Sequence, residues 1–204
     1  MDNMNKTKVK DVIKPDDRRV RRTKKILKTS LAKLLLEKKI NNITVKELVD
    51  LADINRGTFY LHYTDIYNLL EQIEKDMFSE LEEMSNEFAN SEAKRSPQFF
   101  TRQVFQYVAD NRDLCKMLLG PYGDMAFVDR LKSMVEEKSY FYLMETCSEK
   151  DVQSYKYFAA FAVSGCVGLL QNWIENGMKV SVEELSNFAD SLIQFGIEKM
   201  RENE

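Results

Sequence analysis

Residues 44–63, TVKELVDLADINRGTFYLHY, decide the fold. Thr44 and Glu47 have the S/T-x-x-E spacing of a capping box, in which two side chains satisfy backbone N–H groups at a helix start. Val45, Leu48, Val49 and Ala52 recur at i, i+3, i+4 and i+7, the period of one buried helical face. Ala52 is small where a second helix must approach. Asp53 tolerates the positive φ of a sharp turn, Ile54 supplies an apolar anchor, and Asn55 is a good N-cap for the helix that follows. That helix is short and two-faced. Phe59 and Tyr63 stack at i, i+4 and are expected to face inward. Gly57, Thr58 and Leu61 then point outward, with Arg56 and Tyr60 on one flank and His62 on the other. Two short helices in this order make a helix-turn-helix, whose second helix presents its first residues to base edges in a DNA major groove.

The stretch ITVKELVDLADINRGTFYLHYTDIYNLL resembles the N-terminal DNA-binding signature of the tetracycline-repressor (TetR/AcrR) family. It matches that pattern at Thr44, Ala52, Gly57, Thr58, Phe59, Tyr60, His62, Tyr63 and Leu69. It departs at Asp53 (usually a turn glycine), at Asn55 (usually Ser or Thr) and at Ile66 (usually a lysine at the start of the fourth helix). The first two changes keep the turn and cap chemistry, and the third removes a phosphate contact. The match covers about residues 20–75. The resemblance implies an all-α, two-part regulator: a three-helix head that binds double-stranded DNA and a larger helical body that dimerises and binds an effector. It implies DNA contacts by Lys46, Arg56, Thr58, Tyr60 and His62, with Thr44, Val45, Asn55 and Tyr63 in the same surface. Arg56 and Thr58 are candidates for base readout, and Leu61 for contact with a thymine methyl. Gly57 allows close backbone approach, and the N–H groups near residues 44–46 suit a phosphate.

Charge is divided along the chain. Residues 1–64 hold 16 Lys and Arg against 8 Asp and Glu, a balance of +8; the other 14 and 25 leave −11 on residues 65–204. A net charge of −3 hides this. The basic part has the footprint of a phosphate binder. Its densest run is Arg18, Arg19, Arg21, Arg22, Lys24, Lys25 and Lys28, leading into a helix whose apolar side is Ile26, Leu27, Leu31, Leu34 and Leu35. One reading is a solvated face behind a floppy tail. The other is salt-sensitive backbone or minor-groove contact, with Arg22 and Lys25 as candidates. The polar, charged residues 1–17 are expected to be a disordered basic tail. The head then spans 18–64 and the body 65–204.

The body reads as helices: one from residues 64–65 with Ile66, Leu69, Leu70, Ile73, Met77, Leu81 and Met84 on one face, a break at 91–97, then helices at about 97–109, 112–119, 125–146, 151–176 and 181–201. Gly177 is a candidate C′ glycine, and Ser181 with Glu184 a second capping box. With the first helix this makes nine, and no convincing strand. The last two are apolar on more than one side, which fits either a large monomeric core or a four-helix bundle shared by two subunits. Family resemblance favours the homodimer. Ala162, Gly165, Val167 and Leu169 of one helix and Leu185, Phe188, Leu192 and Phe195 of the other are the expected interface. Residues 173–185, WIENGMKVSVEEL, also resemble the C-terminal region of a subgroup that includes dihydroxyacetone-kinase-operon regulators.

The family further implies a ligand pocket. Aromatic, Met and neighbouring residues of the body are candidates: Phe99, Phe100, Gln103, Tyr107, Met117, Met125, Phe127, Met134, Tyr140, Phe141, Tyr157, Phe161 and Trp173. Plain core is the competing reading for all of them. The effector is a small apolar molecule or, in the alternative, a protein partner, with the pocket then vestigial. No cofactor or metal is expected. His62 is the only histidine, and Cys115, Cys147 and Cys166 are far apart, so neither a zinc site nor a Cys–His pair is assembled by spacing. Gly165-x-x-Gly168 lacks the third glycine of a dinucleotide loop, and Glu136–Glu137 falls on an exposed helix face. An enzyme is not expected. Three separated thiols and the absence of an apolar leader or an unbroken run of about 18 apolar residues point to a cytoplasmic protein with no membrane span.

Overall fold

The basic run Arg18–Lys28 is helical from its first residue. In a computed structural model, which describes residues 15–90, 97–120, 122–146 and 152–202, helix α1 spans Pro15–Leu35. Residues 15–17, expected to belong to the tail, thus form the first turn of α1. Residues 1–14, the break before Pro97 and Cys147 lie outside the described residues. A 3-10 turn (Ile40–Asn42) leads to α2 (Val45–Ala52), α3 (Arg56–Tyr60) and the long α4 (Ile66–Asn90). The body follows with α5 (Pro97–Asp110), α6 (Arg112–Leu119), α7 (Met125–Thr146), α8 (Val152–Glu175) and α9 (Val182–Glu202). The described residues contain these nine α-helices and no strand.

Caps fix most of the boundaries that matter. The Ser181 hydroxyl accepts from the Glu184 N–H at 3.1 Å while the Glu184 carboxylate accepts from the Ser181 N–H at 3.1 Å, a complete capping box that opens α9. Gly177 closes α8 with φ 79°, and Met178 donates back to the Trp173 carbonyl at 2.8 Å. The Trp173 indole spans the same turn to the Val180 carbonyl at 2.8 Å.

Head and body share one core. Leu27, Leu31 and Leu34 of α1 meet Leu48, Val49 and Phe59 from α2 and α3, and Ile66, Leu69, Ile73 and Met77 carry the cluster along α4 to Phe105, Met117, Phe127 and Trp173. Ile66 is buried there, which explains an apolar residue at the start of α4. Two ion pairs tie α4 to its neighbours: Lys28 of α1 with Asp76, and Arg130 of α7 with the buried Glu74 at 3.3 Å. In the body α9 packs mainly on α5 and α8 mainly on α7, while α8 and α9 touch each other sparingly. Each therefore keeps one side outward. Among the described helices α8 is the one long and apolar enough by composition to cross a bilayer. Ser164, Gly165 and Gly168 interrupt its apolar residues, so it still holds no unbroken run of about 18 of them. Its inner side, with Tyr155, Ala159, Val163, Leu170 and Trp173, is buried in protein.

Candidate functional site

The head surface is built by local rules. Thr44 is extended (φ −104°, ψ 152°), and its hydroxyl accepts from the Glu47 N–H at 3.2 Å. The Glu47 carboxylate takes the Lys38 ammonium, so half of the expected capping box is traded for an ion pair with the chain before α2. Asp53 ends α2 in the left-handed region (φ 51°, ψ 48°), and Ile54 donates to the Val49 carbonyl at 3.1 Å. Asn55 then caps α3, its side-chain oxygen accepting from Gly57 N–H at 2.7 Å. A Cβ on Gly57 would stand 3.2 Å from that same oxygen, so glycine leaves the cap undisturbed.

These constraints aim α3 outward. Phe59 is fully enclosed, which turns Arg56, Gly57, Tyr60 and Leu61 to solvent; Leu61 is 80% exposed although apolar. The Arg56 guanidinium donates to the Tyr60 hydroxyl at 3.1 Å and lies 5.5 Å from that ring's centroid, so it is held in place ahead of any partner. Thr44, Lys46 and Asn55 are exposed beside it, and Val45, Thr58 and His62 are partly so. Arg22 and Lys25 are exposed on α1. Two residues depart from the sequence reading. Tyr63 is only 4% exposed, locked by its i, i+4 partner Phe59 (rings 5.8 Å apart), so it anchors the head and does not join the surface. Lys28, from the basic run, is turned onto Asp76. Burial pushes the Asp76 carboxyl up, but hydrogen bonds from Lys28 and Gln72 and the charges of Lys28 and Lys24 outweigh it and hold the group below its ordinary value.

The body contains an apolar cavity of about 150 Å³ between α4, α5, α7, α8 and α9. Its lining includes Phe88, Phe100, Val104, Phe105, Val135, Tyr142, Leu143, Phe158, Ala159, Val163, Leu170, Ile193 and Ile197, with Thr101, Ser139 and Cys166 as its small polar groups. Of the thirteen residues expected to line a pocket, Phe100 alone lines this cavity, while Met117 lines a second pocket and Phe161 the groove between α8 and α9. Phe99, Met125, Phe141, Tyr157 and Phe161 are exposed. Met117, Phe127 and Trp173 are buried in the shared core, and Tyr107 packs against it. Tyr140 packs on a smaller cluster around Leu143 and Tyr155. Gln103 and Met134 are half-buried outside the lining. Aromatic size alone does not locate this cavity: Phe88, Phe105, Tyr142 and Phe158 line it as well as Phe100, and the other aromatics of the body lie in the core or at the surface. The signal that marks it is the spacing Ala159, Ala162, Val163, Cys166, Val167, Leu170 on α8, matched by Val135, Ser139, Tyr142 and Leu143 on α7.

The expected interface residues divide between cavity and surface. Ala162 and Val167 line the cavity. Phe188, Leu192 and Phe195 are more than half exposed on α9, Gly165 is exposed on α8, and Leu169 and Leu185 are half-buried. With Tyr157 and Phe161 (74% exposed) they form an apolar face over α8 and α9, and an open groove runs between them. Phe158, Ala162, Cys166 and Ile193 line both the groove and the cavity, so the two share a wall. Gly196 lets the Phe158 ring lie against α9: an added Cβ would meet it at 2.2 Å. Burial pushes the Cys115 thiol up to about 12, and burial with the nearby Asp190 charge pushes Cys166 up to about 11, so neither is a ready nucleophile.

Comparison with known proteins agrees with this geometry. The TetR-type family model described as "Transcriptional regulator C-terminal region" matches residues 95–195. Over 51 residues the chain is 37% identical to an uncharacterized HTH-type transcriptional regulator, YxbF, of Bacillus subtilis, a match that spans 25% of this chain and 13% of that protein. Among solved structures, a TetR transcriptional regulator from Streptococcus agalactiae superposes with a TM-score of 0.59 at 24% identity, over 87% of this chain and 97% of that one. The dihydroxyacetone kinase operon activator DhaS gives 0.59 at 19%, over 86% and 96%. At these identities the structural likenesses show a shared fold.

Proposed function

Because the chain belongs to the TetR family of transcriptional regulators, we propose that it binds a palindromic DNA operator as a homodimer and is released or retuned by an effector in its body. The observation that carries this reading is the exposed edge of α3, where Arg56 is pre-set on Tyr60 beside the outward Leu61 and Lys46. Arg56 and Thr58 would read base edges, Leu61 a thymine methyl, and Arg22, Lys25 and Lys46 would hold phosphates. Acidic residues in the body would repel the duplex and favour one orientation.

A second copy is the natural cover for the face of α8 and α9, since an apolar patch of this extent marks an association site. Two heads related by a two-fold axis would then address half-sites about 34 Å apart. The apolar cavity favours a small apolar effector over a protein partner. Because the cavity shares a wall with the dimer face, a ligand that prefers one arrangement of that wall would shift the spacing of the heads. A ligand indifferent to the two arrangements would shift nothing. Repression, by occlusion of a promoter, is the simplest outcome, and the cytoplasm is where it would occur. The reading involves no catalytic step. Selection of bound sequences from a random double-stranded DNA pool, at near-physiological salt, tests it. An enriched palindrome with half-sites one turn apart is the expected result; salt-sensitive binding with no enrichment would overturn specific operator recognition.

A further inference from the structure

Of the cavity's small polar groups, Ser139 stands on α7 and the other two share a buried carboxyl behind them. Thr101 of α5 and Cys166 of α8 line the cavity. Behind them stands Asp190 of α9, 3% exposed. The Thr101 hydroxyl is hydrogen-bonded to the Asp190 carboxyl, and the Cys166 thiol lies close enough to feel its charge. The other carboxyl oxygen, Oδ1, is enclosed and has no hydrogen-bond partner among the described residues. A buried, half-satisfied carboxyl is costly, and such a group needs a donor to complete it. A threonine that gives its proton to a carboxylate turns only lone pairs to its other side. The Thr101 hydroxyl therefore offers the cavity an acceptor, and the protonated Cys166 thiol beside it is only a weak donor. None of the described lining residues is Lys, Arg or His, so nothing in the wall would compensate an anion.

Size sets the rest of the ligand. The cavity is about 150 Å³, and an engineered apolar cavity of about that volume holds benzene. We propose that the cavity takes a compact apolar molecule, about one ring with a short arm, carrying a single hydrogen-bond donor directed at the Thr101–Cys166–Asp190 corner, and that it rejects anionic ligands of the same size. The inference rests on the body being an effector domain and names the chemistry that domain would recognise.

Four near-isosteres test it on the full-length chain by calorimetry: 2-phenylethylamine, 2-phenylethanol, propylbenzene and phenylacetate. The amine and the alcohol should bind about ten-fold tighter than propylbenzene, the order expected for one hydrogen bond to a charged or charge-backed acceptor, with phenylacetate weakest. The two donors separate a charged ammonium from a neutral hydroxyl as the preferred form. Thr101→Val and Asp190→Asn should each erase the preference for donors. Each should leave propylbenzene affinity unchanged, which also shows that the cavity is intact. Val163→Phe, which fills the cavity, should abolish binding of all four. Equal affinity for donors and propylbenzene, phenylacetate binding as well as the amine, or no binding of any of the four would overturn the proposal. Operator affinity is measured in parallel without and with ligand. Donor-selective binding that leaves operator affinity unchanged would sink the effector reading while leaving the cavity chemistry standing.

Discussion

Replacing Arg56 by alanine is the sharpest test of the head. Its guanidinium is fixed by a 3.1 Å hydrogen bond to the Tyr60 hydroxyl and by the face of that ring, on the exposed edge of α3. A base-reading arginine is worth about 1–3 kcal/mol. Each dimer carries two, so the loss should be about 2–6 kcal/mol, or roughly 30-fold to more than 10⁴-fold in operator affinity. Tyr60→Phe leaves the ring and removes the anchoring hydroxyl. Its effect should be smaller, on the order of 0.5–1 kcal/mol per subunit, the range for letting one long side chain move again. Because Tyr60 acts in part through Arg56, the two changes should be less than additive, and the Arg56→Ala, Tyr60→Phe double variant should bind nearly as Arg56→Ala alone. Fluorescence anisotropy on the selected operator and on a scrambled duplex reads all four corners of the cycle. A loss below about three-fold for Arg56→Ala, or an equal loss on both duplexes, would refute base readout by this residue; strict additivity would refute the pre-organisation argument.

Other consequences are as direct. Arg22→Ala and Lys25→Ala should weaken operator and scrambled DNA alike, each lowering the slope of log affinity against log salt by about 1 per phosphate contact removed; an unchanged slope in both would return the α1 basic run to a merely solvated face. Leu192→Glu, at a position 54% exposed on α9, should give monomers by sedimentation with little loss of helix content, and a variant that stays dimeric would place the interface elsewhere. Acid should loosen the joint between α1 and α4. The Asp76 carboxyl is held below its ordinary value, so its pairing with Lys28 stabilises the fold fully above about pH 3.9 and is lost as pH falls through the lowered folded value. Asp76→Asn should therefore cost stability at pH 7 but flatten the acid limb of the stability curve; an identical acid limb in the variant would show that the pair contributes nothing.

How far the sequence reveals the molecule depends on the range of the interactions involved. The head is specified by contacts within five residues: Thr44 on the Glu47 N–H, Asn55 on the Gly57 N–H, and Asp53 in the left-handed region. Such rules depend on residue type and spacing, so the order T, A, D, N, G is enough to place the turn and both caps. The main head residue that the family pattern misplaces, Tyr63, is turned the right way by periodicity, which sets it beneath Phe59. Lys28 escapes for a different reason. Its partner Asp76 is 48 positions away, and nothing near it in sequence reveals that its charge is spent inside the protein.

The body shows the opposite case, and α8 shows why. On a helix a shift of one residue turns a side chain by about 100°. Ala159 and Val163 are inside while Tyr157 and Phe161, two residues before each, are out. Because apolar residues occupy every side of α8, the hydrophobic pattern does not say which side faces the interior. Size misleads further. Large aromatic side chains are what close a core, whereas a cavity persists where the wall is too small to fill it, as at Ala159, Ala162 and Val163. The exposed Tyr157, Phe161 and Phe195 are the large residues that a partner surface requires. Under the proposed function one helix pair would serve two roles on opposite sides, with small residues inward at the cavity and large ones outward toward a second subunit. Phe158, held against the backbone of Gly196, belongs to the wall between them. A ligand that displaced this ring would press on α9, which bears Leu192 and Phe195 on its outer side, so under the proposed effector reading Phe158 would link cavity occupancy to subunit geometry.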